Sequence, residues 1–203
     1  MNYYRLHQQE MKEISGRPSL LFHVCCGVCS VYPLQYLRQY FDITVFFSNS
    51  NIYPYEEYTK RLDALREYLG ILNDDSIRLI IPPYDNDSFT EKLAQVNDGI
   101  EGGKRCRSCY RMRMEEACAY AEKNHYDYFS SVMSISNRKN ADYINEIGEE
   151  LQKLYPHVKY LHADFKKADG ITKNEALNKE LGLYHQNYCG CIFSQHHTSG
   201  KNV

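Results

Sequence analysis

The chain has 203 residues, of which 43% are hydrophobic and 25% charged, with 19 tyrosines and no tryptophan; this excludes an extended disordered chain and allows one core of substantial size. A net charge of −2 provides no global positive field, so a polyanionic partner would have to be held by local basic segments. The amino terminus has no apolar run of signal-peptide type, and nowhere do about 18 uncharged apolar residues occur together, so no membrane span and a cytoplasmic location are expected.

In chain order, the first dozen residues predict a helix, and residues 19–24 form a short apolar run of the kind a buried parallel strand shows. Cys25, Cys26 and Cys29 follow at once. A helix is predicted over 31–40, a strand over 43–47, and a helix over 56–72 from the period of Leu62, Leu65, Leu69 and Leu72. Residues 77–81 read as a third strand ended by Pro82 and Pro83, and residues 90–96 as a short helix. A glycine-containing loop then leads to Cys106 and Cys109, which open a long helix reaching about residue 124. The remaining elements are a strand over 126–132, a helix over 142–154, a strand over 158–162 and a helix over 173–181. This alternation predicts an α/β fold: one domain over 1–203 with an open, mainly parallel sheet and helices on both faces. Residues 1–17 are expected as a helical extension and 195–203 as a flexible tail, with His196 and His197 solvated. In such sheets the functional crevice lies beyond the carboxyl ends of the strands, where this chain has thiols instead of a glycine-rich phosphate loop.

Seven of the eight cysteines fall in three groups: Cys25-Cys26-x-x-Cys29, Cys106-x-x-Cys109 and Cys189-x-Cys191. A reducing compartment disfavours structural disulfides and leaves metal binding or redox chemistry as the reason for clustering. A Cys-x-x-Cys turn brings two sulfurs to one soft metal, and distant pairs can complete a four-thiolate site. One such site leaves three thiols over, the ligand number of an open, reactive metal position; the alternative is a structural zinc site with stray thiols. Cys106 and Cys109, opening a helix, offer a preformed pair for a cluster. Cys118 reads as a small buried residue, and His23 either as a ligand or its support, or as a packed strand-end residue.

The segments HVCCGVCS, SNSNIYPYEEYTKRLD, CRSCYRMRMEEA, SVMSISNRKN, DFKKADG and LYHQNYCGCIFS resemble, in order, the motifs of the QueH-type epoxyqueuosine reductases, over residues 23–194. The resemblance implies an adenine-nucleotide-hydrolase-like (HUP, Rossmann-like) fold. It also implies a [4Fe-4S] cluster beside a further bound iron, and reduction of epoxyqueuosine to queuosine at the wobble position of tRNA, with electrons from an external donor. The chain departs from the family pattern at Gly27-Val28, where Ala-Pro is more frequent, and at His185, where an arginine is expected before Gln186.

Turning an epoxide into an alkene takes two electrons and two protons and releases the oxygen as water. Cysteine-bound clusters reach potentials down to about −700 mV, and an open-site metal would polarise the epoxide oxygen. Asp164, nearer its strand end than Asp169, is the candidate proton donor, against a plain capping role. For the nucleic acid, Lys104, Arg105, Arg107, Arg111 and Arg113 interleave with Tyr110, and Arg138-Lys139 and Lys166-Lys167 follow. Arg107, Arg111, Arg138 and Lys139 are candidate phosphate or substrate contacts, Tyr110 a stacking face, and Asn51, Tyr53 and Gln186 pocket residues. The bland counterpart is a solvated helix face and an ordered turn. Competing functions are a zinc-stabilised tRNA-binding module without catalysis, and a cluster-dependent tRNA thiolation enzyme.

Overall fold

A computed structural model describes residues 2–194. The expected tail, 195–203, with His196 and His197, lies outside the described residues. The elements are α1 (Tyr3–Glu13), β1 (Ser19–His23), α2 (Gly27–Leu37), β2 (Asp42–Phe46), α3 (Tyr55–Leu72), β3 (Arg78–Ile80), α4 (Asn86–Ala94), α5 (Lys104–Lys123), β4 (Tyr128–Ser131), α6 (Ala141–Leu154), β5 (Lys159–Tyr160) and α7 (Gly170–Leu181), with a single 3-10 turn at Val132–Ile135. All five strands pair in parallel in the order β3-β2-β1-β4-β5. The chain therefore reverses its direction of sheet building at β1 and β4, and the crevice of such a sheet opens beyond their carboxyl ends.

Alternation along the strands divides the core. Leu20 and Phe22 of β1 and Ile43 and Val45 of β2 pack with Val31, Leu34 and Leu37 of α2 and with Leu62 and Leu65 of α3. Leu21, Phe46 and Phe129 face the opposite way, onto Met114, Ala117 and Ala121 of α5 and Ile144, Ile147 and Leu151 of α6. Cys118 is fully buried in this second layer, as a small apolar residue would be. Among the described residues no helix is long and apolar enough to cross a membrane.

Helix α2 starts four residues earlier than its apolar period predicts, because Cys26 serves as N-cap and Gly27 as first helical residue. This start places Cys29 inside the first turn. A Cβ at position 27 would come within 2.7 Å of the Ala64 backbone, so glycine permits the close crossing of α2 and α3. Pro33 lacks the N–H for its rung to the Cys29 carbonyl, and α7 bonds the groups of the preceding rung: Asn174 accepts from the Tyr32 N–H (3.1 Å), while the amides of Asn174 and Asn178 donate to the Val28 carbonyl at 2.8 and 2.7 Å.

Candidate metal centre and substrate cavity

β1 delivers Cys25 to the carboxyl edge of the sheet, and the first turn of α2 folds Cys26 and Cys29 back towards it. The three sulfurs lie within 4.8 Å of one another, with Cys25–Cys26 at 3.7 Å and Cys26–Cys29 at 2.6 Å. They are the only group of three metal-ligating side chains gathered this closely among the described residues. Cys25 and Cys29 line a cavity of about 190 Å³ together with Cys189 from the C-terminal loop. Cys191 is paired with Cys189 and raised in pKa by it, whereas Cys109 is buried on α5 and pushed up to about 11 by that burial. Cys106, one turn earlier, accepts from the Gly102 N–H at 3.2 Å. The thiols of Cys106 and Cys189 act electrostatically on Cys109, so the three sequence groups converge on one region.

Three buried cations surround these sulfurs. Arg61 is 3% exposed and bonded to Glu57 at 2.7 Å; it donates to the carbonyls of Cys189 and Tyr188 at 2.9 and 3.2 Å, stacks over the Tyr188 ring, and so clamps the C-terminal loop. Arg113 donates to the neutral carboxamide oxygen of Asn49, and its Nε has no partner. Lys139 is 9% exposed. No carboxylate among the described residues pairs with Arg113 or Lys139. Unpaired buried cations are costly, and thiolates are the available counter-ions. Burial pulls the Lys139 ammonium down, but Cys189, Cys25 and Cys29 outweigh it and its pKa is raised. Hydrogen bonds from Cys26 and Cys29 hold Cys25 well below the usual thiol range, helped by Lys139 and Arg113, and a bond from Cys191 does the same for Cys189. Cys26 goes the other way, pushed up to about 12 by burial and by Cys25. Soft sulfur donors, close spacing, burial and a matching positive surround fit an anionic, thiolate-held metal group.

His23 is not a ligand in this arrangement. Its Nδ1 meets the Ser131 hydroxyl at 2.9 Å and its Nε2 the Ser48 carbonyl at 3.1 Å; a carbonyl only accepts, so the ring hydrogen sits on Nε2. Burial, then Arg113, pushes its pKa down to about 3, keeping it neutral.

The other sequence candidates separate into two sets. Asn51, Arg138, Lys139 and Gln186 line the thiol cavity, and Gln186 donates to Cys26 at 3.0 Å. Tyr53 is 40% exposed and joined to the C-terminal loop through its backbone, its N–H donating to Gly190 at 2.8 Å. Arg107 and Arg111 are not brought to the cavity: they lie on the outer side of α5, with Arg107 paired to Glu146 at 2.9 Å and Arg111 to Glu150 of α6. Tyr110, only 4% exposed, is packed in the core beside Met114 and offers no face on which a base could stack, which corrects its reading as a stacking platform. Asp164 does not line the thiol cavity either; it borders a neighbouring depression with Asn140, Asp142, Lys166 and Lys167. Arg61 and Asn49 were not among the sequence candidates, and Arg113 was read as facing nucleic acid. The available signal was spacing: Arg113 lies four residues beyond Cys109, on the same helical face.

A parallel sheet with thiols and uncompensated cations at its switch point defines a Rossmann-like α/β protein carrying a thiolate metal-ligand group. Residues 20–197 match the family model described as "Epoxyqueuosine reductase QueH". The chain is 38% identical over 200 residues to a protein of that name from Streptococcus pyogenes serotype M1, covering 96% of this chain and 78% of the relative. It is 38% identical to one from Staphylococcus aureus (88% of this chain, 76% of the relative) and 34% identical to one from Thermotoga maritima (87% and 90%). The chain belongs to the epoxyqueuosine reductase QueH family.

Proposed function

We propose that this chain is an oxidoreductase that removes the epoxide oxygen of epoxyqueuosine at the wobble position of tRNA, giving queuosine and water for two electrons and two protons. The observation that carries the reading is the closely gathered Cys25, Cys26 and Cys29 triplet, of which Cys25 and Cys29 share a cavity wall with Cys189 and two cations that lack carboxylate partners. Family membership supplies the substrate class.

In this reading the seven clustered thiols hold a [4Fe-4S] cluster and a second iron. When bound, such groups supply low-potential electrons and Lewis acidity. The protein's own part is electrostatic and positional. Arg113 and Lys139 help to favour the thiolates of Cys25 and Cys189, and Lys139 remains charged as it does so. Gln186 orients Cys26 from the cavity wall, and Arg61 fixes the backbone that carries Cys189. Arg138, 55% exposed at the mouth, faces outward as a candidate phosphate contact for tRNA, and Tyr53 stands exposed beside the C-terminal loop. Electrons come from an external donor protein or reductant. Asp164 stays a candidate acid from the adjoining depression.

The test is turnover. Anaerobically purified protein, given a low-potential reductant and tRNA containing epoxyqueuosine, should yield nucleosides that have lost one oxygen by mass. A brown, iron- and sulfide-containing protein that leaves the mass unchanged would refute the reading.

A further inference from the structure

Helix α7 presents one stripe to the thiol cavity: Ile171, Asn174, Glu175 and Asn178 recur at the three- and four-residue spacing of a helical face, and all four line it. Asn174 and Asn178 fix the direction of the stripe by bonding the Val28 carbonyl of α2. Glu175 stands beside them but is exposed, and it forms no ion pair or hydrogen bond with another described residue. Among the described residues it is also the only carboxylate that lines this cavity, against the four cations Arg61, Arg113, Arg138 and Lys139. The charges are layered by depth. Arg113 and Lys139 are buried beside the thiols, whereas Arg138 and Glu175, one positive and one negative, are exposed at the rim.

We infer that Glu175 receives the cationic amine of the modified base and so selects that base over an unmodified guanine. This rests on the substrate reading above and deepens it. The substrate carries its epoxide ring on an aminomethyl arm, whose secondary amine is protonated at neutral pH. With the ring at the thiols, the amine attached to it lies one step outward, the base beyond it, and the phosphates further still. A cavity of about 190 Å³ is smaller than the roughly 300–1,000 Å³ of pockets that enclose a whole drug-sized ligand, so it takes the substituent and leaves the base at the rim. Thiols within, and Glu175 and Arg138 at the mouth, match that order of ring, amine and phosphate. The four lining cations repel the amine, which leaves the rim carboxylate as its counter-charge on the way in.

The test measures binding, not turnover. Anaerobically purified holoprotein, without reductant, is titrated with three anticodon stem-loop RNAs that differ only in the wobble nucleoside. These are epoxyqueuosine, 7-aminomethyl-7-deazaguanosine, which keeps a cationic amine and lacks the ring, and guanosine. Wild type should bind both amine-bearing RNAs more tightly than the guanosine RNA. Glu175→Gln, which keeps the size of the side chain and removes its charge, should weaken both about fivefold and leave the guanosine RNA within about twofold of wild type. Glu175 is exposed and bonded to no other described residue, so the variant should keep the iron content of wild type. A variant that retains the wild-type preference, or that weakens all three RNAs equally, overturns the role of Glu175. So does a wild type that prefers epoxyqueuosine but binds the aminomethyl and guanosine RNAs alike. A wild type that binds the epoxyqueuosine and guanosine RNAs alike instead overturns the substrate reading itself, and the role of Glu175 with it.

Discussion

Replacing Arg61 by methionine removes the clamp on the cysteine-bearing C-terminal loop while keeping comparable bulk. Arg61 and Glu57 are 3% and 8% exposed, so the substitution strands a buried carboxylate whose remaining partner is the Tyr184 hydroxyl at 2.7 Å. It also leaves the carbonyls of Cys189 and Tyr188 without their charged donor. Breaking a buried pair by removing one partner costs about 3–5 kcal/mol, and the two carbonyl bonds belong to the same network, so they are not added on top. For a chain of this size that is a fall in Tm of roughly 6–20 °C. The assay is anaerobic urea unfolding of the metal-loaded protein, read alongside iron content. Removing both charges, as Glu57→Leu with Arg61→Met, eliminates the stranded carboxylate and should recover about half of the loss or more. A single variant that loses less than about 1 kcal/mol, or a double variant as unstable as the two singles summed, would refute the clamp.

Three further outcomes follow from the same structure. His162 sits between Glu10 of α1 (2.6 Å) and Glu149 of α6 (3.2 Å), beside His7, Tyr3 and Tyr160; burial lowers its pKa, but the two carboxylates prevail and raise it above the ordinary 6.5. Its stabilising contribution is therefore complete below about pH 6.5 and lost as pH rises through the higher folded value, so wild type should lose more Tm than His162→Gln between neutral and alkaline pH, and parallel losses would contradict this. Cys118→Ala should keep full iron content and lose only about 1 kcal/mol of stability, since Cys118 is packed among apolar residues; missing iron would make it a ligand. Asp164→Asn should lower turnover while leaving metal content unchanged, as expected of a candidate acid in the adjoining depression, whereas full turnover with intact metal would exclude Asp164 as the proton donor.

The alternating architecture was legible because β1 and β2 are short apolar runs and α3 keeps the period of Leu62, Leu65, Leu69 and Leu72. The thiols were legible because cysteines that cluster in short motifs point to metal binding or redox chemistry when they do not form disulfides, and all eight here are free. What spacing alone could not reveal was direction. Arg105, Arg107, Arg111 and Arg113 form one basic run in sequence, yet helical geometry sends 107 and 111 to the glutamates of α6 and 105 and 113 into the protein. The same ambiguity misplaced Tyr110, whose amphipathic ring serves equally as a stacking face or a core residue. Arg61 was hidden for another reason: its partners, the carbonyls of residues 188 and 189, lie 127 and 128 positions away, and backbone acceptors leave no trace in side-chain patterns.

Anomalous scattering at the iron absorption edge, from anaerobically grown crystals, tests the convergence of the three thiol groups most directly. The account predicts iron bonded to sulfurs of the Cys25, Cys26 and Cys29 group, within the cavity that Cys189 also lines. Iron bound only at Cys106 and Cys109 away from that triplet, or protein carrying zinc and no iron, would contradict it.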